Sequence, residues 1–287
     1  MYQHRVDVFA ERMLGYTLDA KQMEILGCGY DEIQMLWSRQ TGKTELVAMI
    51  AAHGAVFDMP LTLIVSGGER QAQIVQDRVT EHVRRLGRDS EAEWQDLPHH
   101  SGYAPADVFA ERIEIVRCSA RLLQLGNDHR VVSAPASPAT IRGFSPHRII
   151  MDECAYVHGL VYEAIRPMRA VTAAQLICSS SAGAQQGWFW DWWNQSDDGR
   201  FKSEYRADEC LRITQREPAF LPRERARLTP AIYGREYENK FLPAQGTLLS
   251  AGQLGDIFDY GVLPLAPELE MLSEDVQPFA TNGHSGG

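Results

Sequence analysis

The sequence predicts an α/β fold, a mostly parallel sheet with helices on both faces. Three observations carry this. Apolar runs of strand length alternate with amphipathic runs of helix length from about residue 32 to 181. One run, "EIQMLWS" (32–38), leads through a short polar loop into Gly42-Lys43-Thr44 and then a helical stretch. Another, "HRIIMDE" (147–153), ends on two carboxylates. Parallel sheets bind ligands at the carboxyl ends of their strands, so both features fall where chemistry is expected.

The elements follow in order. Helical spacing covers 5–14 and 19–28, then the strand 32–38 enters the loop. From Thr44, "TELVAMIAAHGAVF" places apolar residues at helical spacing. A strand at 61–66, "LTLIVS", and a helix at 69–86 come next. The polar, turn-rich stretch 87–106 reads as a surface insertion. Three short strands follow in "ERIEIVRC", "RLLQLGND" and "HRVVSAP", with a turn at Gly126-Asn127. After the strand 147–153 come a helix at about 158–169 and a strand, "QLICSSS", at 175–181. From about 201 the pattern weakens into short elements, and "FATNGHSGG" reads as a tail or linker. The expected organisation is a core over 1–200, a lid or linker subdomain over 201–260, and a flexible tail over 261–287.

Composition narrows the function. The 287 residues are 44% hydrophobic, enough for one large domain. No apolar run approaches the ~20 residues that span a bilayer, and charges throughout the first sixteen residues argue against a signal peptide. Five scattered cysteines (28, 118, 154, 178, 210) form no C-x-x-C pair, which argues against a zinc site or disulfide framework and fits a reducing cytoplasm. A net charge of −10 argues against a nucleic-acid-binding surface as a whole, but leaves room for a local basic patch.

The chemistry-bearing residues concentrate in the loop and at two strand ends. A phosphate loop follows G-x-x-x-x-G-K-[ST], and here Trp37 stands where its first glycine belongs. In such a loop the helix N-terminal amides face phosphate oxygens, Lys43 reaches the β- and γ-phosphates and Thr44 ligates Mg²⁺. On the tripeptide alone, an ordinary strand-to-helix turn is an equal reading. Asp152 and Glu153 strengthen the first, one able to hold Mg²⁺ through water and the other to polarise an attacking water. "CSSSAG" (178–183) puts a row of hydroxyls at the next strand end, suited to sensing the γ-phosphate. "SPATIRGFSP" (137–146) carries Arg142, able to neutralise transition-state charge.

Together these residues resemble the ATPase domain of the large terminase subunit of tailed double-stranded DNA phages. That family's loop reads S-R-Q-x-G-K-[ST], which Ser38-Arg39-Gln40-Thr41-Gly42-Lys43-Thr44 fits, so the missing glycine is a family feature. Its S-P-x-x-x-R-G segment before a strand ending in I-x-D-E is matched from Ser137 through Val157. Its coupling motif, often T-T-T-P-x-G, is matched loosely by Ser179-Ser180-Ser181-Ala182-Gly183, without the proline. A glutamine that contacts adenine in the family corresponds to Gln22. "EYENKFLPAQGTLLSAGQL" resembles the segment leading to the family's nuclease.

The resemblance covers most of 20–252 and implies a P-loop NTPase of the ASCE type with a small C-terminal lid. It implies a Mg²⁺-dependent ATPase with ATP on Gln22 and Ser38 through Thr44, Mg²⁺ on Thr44 and Asp152, catalysis by Glu153, Arg142 and Arg39, and coupling through Ser179, Ser180 and Ser181. The implied partners are double-stranded DNA, the portal ring, the small terminase subunit and a separate or deleted nuclease domain, and further copies of the chain in a ring. No membrane is implied, and the implied location is the host bacterial cytoplasm, docked transiently on the procapsid. The family's nuclease is of ribonuclease H type. The roughly 35 residues after 252 are too few for that fold, so no nuclease activity is expected of this chain. Basic clusters at 84–88 and 223–227 are candidate DNA-facing patches, with solvated faces the alternative. The rival functions are a helicase-like DNA-dependent ATPase, which requires a second α/β domain, and a non-catalytic nucleotide-binding or scaffold protein.

Overall fold

Eight strands hydrogen-bond into one sheet: β1 (Glu32–Trp37), β2 (Leu61–Ser66), β3 (Ile115–Ser119), β4 (Leu122–Leu125), β5 (Arg130–Pro135), β6 (Arg148–Asp152), β7 (Gln175–Ser180) and β8 (Phe201–Tyr205). The structure, a computed structural model, describes residues 6–93, 113–196 and 199–244, without the side chains at positions 12 and 87–93. Across the sheet the order is β3-β4-β5-β2-β6-β7-β1-β8. Only β4 runs against its neighbours; every other adjacent pair is parallel.

The helices are α1 (Val6–Val8), α2 (Ala20–Gly27), α3 (Lys43–Phe57), α4 (Glu69–Glu93), α5 (Pro138–Ile141), α6 (Gly159–Thr172), α7 (Trp188–Asn194), α8 (Leu211–Thr214), α9 (Phe220–Arg227) and α10 (Pro230–Tyr237). Alternation along the strands divides the core into two layers, as the period of two requires. Ile33, Met35, Ile64, Ile150 and Ile177 pack with α3 and α4 on one face. Leu36, Leu63, Val65, Ile149, Met151, Leu176 and Cys178 pack with α6 and α7 on the other. Both faces are covered, which is why β2 and β6 are buried at every position. No helix among the described residues is long and apolar enough to cross a membrane.

The structure departs from the sequence reading in four places. The expected helix at 5–14 is α helical only over Val6–Val8 and continues as a π-helix, Phe9–Met13. The helix from Glu69 does not end at 86 but runs to Glu93, into the expected insertion; 94–112 lie outside the described residues. The helix placed at 158–169 extends to Thr172, with Pro167 inside it. The boundary at residue 200 is corrected most clearly. β8 begins at Phe201 and pairs in parallel with β1 from Ile33↔Phe201 to Trp37↔Tyr205, so the segment after 200 starts as part of the central sheet. The described residues group as one compact unit. Residues 245–260 of the expected 201–260 lid or linker subdomain, and all of the 261–287 tail, lie outside them.

Candidate nucleotide site

The phosphate loop is built from its anchors inward. Trp37, the residue in place of the usual glycine, ends β1 and is fully buried. Its indole Nε1 donates to Ser203 Oγ at 3.1 Å, and its ring meets Tyr205 edge-on at 5.1 Å. It therefore serves the core and β8, and the loop proper starts after it. Ser38 N donates to Tyr205 O at 2.9 Å and Arg39 N to Glu236 O at 2.9 Å. Thr41 Oγ1 closes the turn on Ser38 O at 2.7 Å. Gln40 (φ +62°) and Gly42 (φ +89°) take left-handed backbone. At Gly42 this favours glycine twice over, because an added Cβ would also lie 2.7 Å from Arg212 Nη2 and 3.0 Å from Gln22 Nε2.

Gly42 caps α3, and Lys43 is its first residue. The Lys43 ammonium is buried and donates to Trp37 O at 2.8 Å and Ser38 O at 3.0 Å. Burial pushes its pKa down, opposed by the charges of Glu153 and Asp152. Thr44, half-buried, is next in the helix.

The carboxylates sit two strands away, at the end of β6 across β7. Asp152 is buried and Glu153 half-buried, with Glu153 in left-handed backbone (φ 54°, ψ 45°). Such strain in a non-glycine residue persists where the surroundings impose it, and it gathers at functional sites. Burial raises both pKa values; for Glu153 the neighbouring Asp152 charge adds to the rise, and Lys43 and then Arg39 oppose it.

All three serines of β7's end engage this acidic segment. Ser179 Oγ donates to Asp152 Oδ1 at 2.6 Å, Ser180 Oγ accepts from Ala155 N at 3.1 Å, and Ser181 Oγ donates to Glu153 Oε2 at 3.5 Å. Each of the three expected coupling residues is thus bonded to the acidic segment, Ser180 through the backbone of Ala155. Their register explains it, since Asp152 pairs with Ser179 in the parallel ladder.

Three expected site residues stand differently. Arg39 is in the loop, but its exposed side chain is ion-paired with Glu236 of α10, and its charge reaches Lys43 and Glu153. Arg142 follows α5 and lines a depression with Leu160, Glu163 and Pro167 of α6; among the described residues its guanidinium has no hydrogen-bond or ion-pair partner. Gln22 is buried in α2. Its Oε1 accepts from Asp19 N at 3.1 Å while Asp19 Oδ1 accepts from Gln22 N at 2.9 Å, a reciprocal helix cap. Its amide nitrogen lies against Gly42, while Oε1 is engaged by the Asp19 amide.

Sequence reasoning missed several participants. Arg212 Nη2 donates to Thr41 O at 2.6 Å and is paired with Asp19 Oδ2 at 2.9 Å. Asn239 Nδ2 donates to Leu36 O at 3.0 Å, tying the end of α10 to β1. Ser66, opposite Asp152 in the β2–β6 register, has a buried hydroxyl without a partner among the described residues. The D-x-x-Q spacing of Asp19 and Gln22 is a readable cap signal; the others depend on long-range pairing. The candidate DNA patch at 223–227 is neutralised locally: Arg223 pairs with Glu217, Arg225 with Glu238 and Arg227 with Glu224.

The arrangement fits a magnesium nucleotide. Among the described residues no group of three or more His, Cys, Asp or Glu could hold a metal alone. Mg²⁺ commonly takes one or two carboxylates and completes its shell with phosphate and water, and Asp152 with the Thr44 hydroxyl offers that partial set. The glycine cradle at 42, the lysine behind it and the unpartnered Ser66 hydroxyl beside Asp152 suit a polyanion with its cation.

No family model matches the sequence, and no curated protein does. Solved structures share the fold. The Thermus phage P74-26 large terminase ATPase domain superposes with a TM-score of 0.61 at 19% identity, covering 82% of this chain and 98% of that one. The HK97 bacteriophage large terminase gives 0.58 at 20% identity over 83% of this chain and 55% of its own. The large terminase of a thermophilic bacteriophage, in complex with ADP, gives 0.55 at 13% identity, over 78% and 54%, and it has also been solved with ATP-gamma-S. This chain spans nearly all of the P74-26 domain but about half the length of the other two proteins. It shares its fold with large-terminase ATPase domains.

Proposed function

We propose that this chain, which has the fold of large-terminase ATPase domains, is itself the ATP-hydrolysing subunit of a phage DNA-packaging motor. The observation that carries the reading is the paired arrangement of the Gly42-Lys43-Thr44 loop and the Asp152-Glu153 strand end, with Ser179, Ser180 and Ser181 bonded to the acidic segment. Lys43 binds the β- and γ-phosphates. Thr44 and Asp152 hold Mg²⁺, which neutralises phosphate charge when bound. Glu153 orients a water and accepts its proton as the water oxygen bonds to the γ-phosphorus and the bond to the ADP oxygen breaks. Its raised pKa suits a base, because a carboxylate nearer neutral pH holds that proton better.

The serines then carry the change at the γ-position into β7. Arg142, unpartnered and exposed, is suited to entering a neighbouring subunit's site. Duplex DNA is the moved substrate; the portal ring and the small terminase subunit are the partners; the assembly is a ring of copies docked on a procapsid in the host bacterial cytoplasm.

Nucleotide titration and phosphate release test the core of this reading. Lys43→Ala should weaken ATP binding by tenfold or more, roughly the worth of a charge-assisted contact. Glu153→Gln should bind ATP normally and lose about 10²-fold or more in turnover. Substantial turnover by Glu153→Gln removes that residue from the chemistry.

A further inference from the structure

Three strands end side by side on one face of the sheet. In the parallel ladder Ser66 of β2 pairs with Asp152 of β6, and Asp152 pairs with Ser179 of β7. Two residues earlier in each strand, Ile64, Ile150 and Ile177 lie in the core layer packed with α3 and α4. Side chains alternate with a period of two, so Ser66, Asp152 and Ser179 project to that same face. There α3 begins with Lys43 and Thr44. The row across the strand ends reads hydroxyl, carboxylate, hydroxyl.

The two hydroxyls are not used alike. Ser179 Oγ donates to Asp152 Oδ1 at 2.6 Å. Ser66 is fully buried, and its Oγ has no partner among the described residues. Its other register partner, Pro135 of β5, has no side-chain acceptor. The Ser66 carbonyl is in use, accepting from Ala136 N at 3.1 Å. A buried hydroxyl left unbonded costs free energy, so each one calls for an explanation. What sets Ser66 apart from Thr62, the other such hydroxyl in β2, is the carboxylate at the adjacent register position.

Asp152 has room for a further donor. An ionised carboxylate accepts at about four lone-pair positions. Ser179 takes one, and the Glu153 backbone amide is a second donor. A cation and one more hydroxyl complete the set. Hydrogen bonds of this kind orient a carboxylate that ligates a metal and raise the affinity of the site.

We propose that Ser66 is a second positioning residue for Asp152: its hydroxyl bonds the carboxylate from the β2 side when the cation is bound, opposite Ser179 on the β7 side. The proposal rests on the reading above that Asp152 holds Mg²⁺. Ser66 then gains its hydrogen bond as the cation binds, so it contributes to cation affinity and not to the stability of the ligand-free fold.

Mn²⁺ with ADP tests this without turnover. Free Mn²⁺ would be followed by electron paramagnetic resonance in titrations of the wild-type chain, Ser66→Ala, Ser66→Thr and Asp152→Asn, each with saturating ADP. ADP binding without cation and thermal melts of the ligand-free chain are the controls. Ser66→Ala should bind Mn²⁺ about tenfold more weakly, the scale of losing one hydrogen bond behind a metal ligand. Its metal-free ADP affinity and its melting temperature should not fall. Ser66→Thr keeps the hydroxyl and should stay near wild type. Three results overturn the assignment to Ser66 and leave Asp152 standing. One is wild-type Mn²⁺ affinity in Ser66→Ala. Another is a loss of Mn²⁺ affinity matched by a lower melting temperature and weaker metal-free ADP binding, as a merely structural serine would give. The third is a folded Ser66→Thr that binds metal-free ADP normally but Mn²⁺ as weakly as Ser66→Ala. Undiminished Mn²⁺ affinity in Asp152→Asn, or a wild-type chain that binds no Mn²⁺ with ADP, overturns the reading of Asp152 and the role of Ser66 with it.

Discussion

Ser179 donates a 2.6 Å hydrogen bond to Asp152 inside the sheet, where both side chains are buried. That bond favours the ionised carboxylate against the burial that raises its pKa. Ser179→Ala should therefore raise the Asp152 pKa further. The acid side of the ATPase pH profile should move to higher pH, and stability should fall by about 1 kcal/mol. A profile unchanged in shape would leave Ser179 a packing residue.

Glu153 carries a linkage consequence of opposite sense to most carboxylates. Its folded pKa is raised, so the folded state binds more protons than the unfolded chain between the two values. Stability is thus lost as pH rises from the ordinary carboxyl value of about 4.3 through the folded value. Glu153→Gln does not titrate and should melt higher than wild type at neutral pH, with the gap closing at low pH. A gap that persists below about pH 4 would assign the gain to something other than ionisation.

Arg39 and Glu236 join the loop to α10 by both backbone and side chain. Arg39 is largely exposed, so the pair should contribute less than about 1 kcal/mol. Glu236→Gln releases the guanidinium while keeping the residue's shape. We expect a small change in melting temperature and a several-fold change in ATPase rate that Arg39→Ala abolishes. Double-mutant-cycle kinetics checks this; additive effects would mean the two act separately.

Gln22 contributes through its cap. Gln22→Ala removes a buried reciprocal bond with Asp19 and should cost about 1–2 kcal/mol of stability. If its amide also meets the base, preference for ATP over GTP will fall. Competition binding decides, and unchanged relative affinity would confine Gln22 to its capping role.

Arg142 is tested by mixing. Arg142→Ala should bind ATP normally and lose about 10³-fold in assembly-dependent turnover. Adding Glu153→Gln subunits should restore some activity, since each variant then supplies what the other lacks. Mixed assemblies as inactive as either parent, with co-assembly demonstrated, would place Arg142 in its own subunit's site or in a structural role.

The legible parts of this protein were local. Strand lengths, the loop into α3 and the two acids closing β6 depend on neighbours in sequence, so periodicity and motif spacing located them. What stayed hidden joins distant segments. Nothing within Phe201–Tyr205 signals that it pairs with β1, because a parallel partner is chosen by the whole sheet. Arg212 meets Thr41 across 171 positions, and Asn239 meets Leu36 across 203. The left-handed backbone at Glu153 was invisible too, since its side-chain chemistry suits an ordinary strand end equally well.

α3 is buried along nearly its whole length, from Lys43 and Leu46 through Val56, with no face given to solvent. A helix so enclosed cannot tilt without opening both its neighbours and the sheet beneath it. The lysine end of the site is therefore held rigidly by the core. The short helices α8 to α10 are far less enclosed, and the polar contacts described above join them to that rigid end through Arg212 and Glu236.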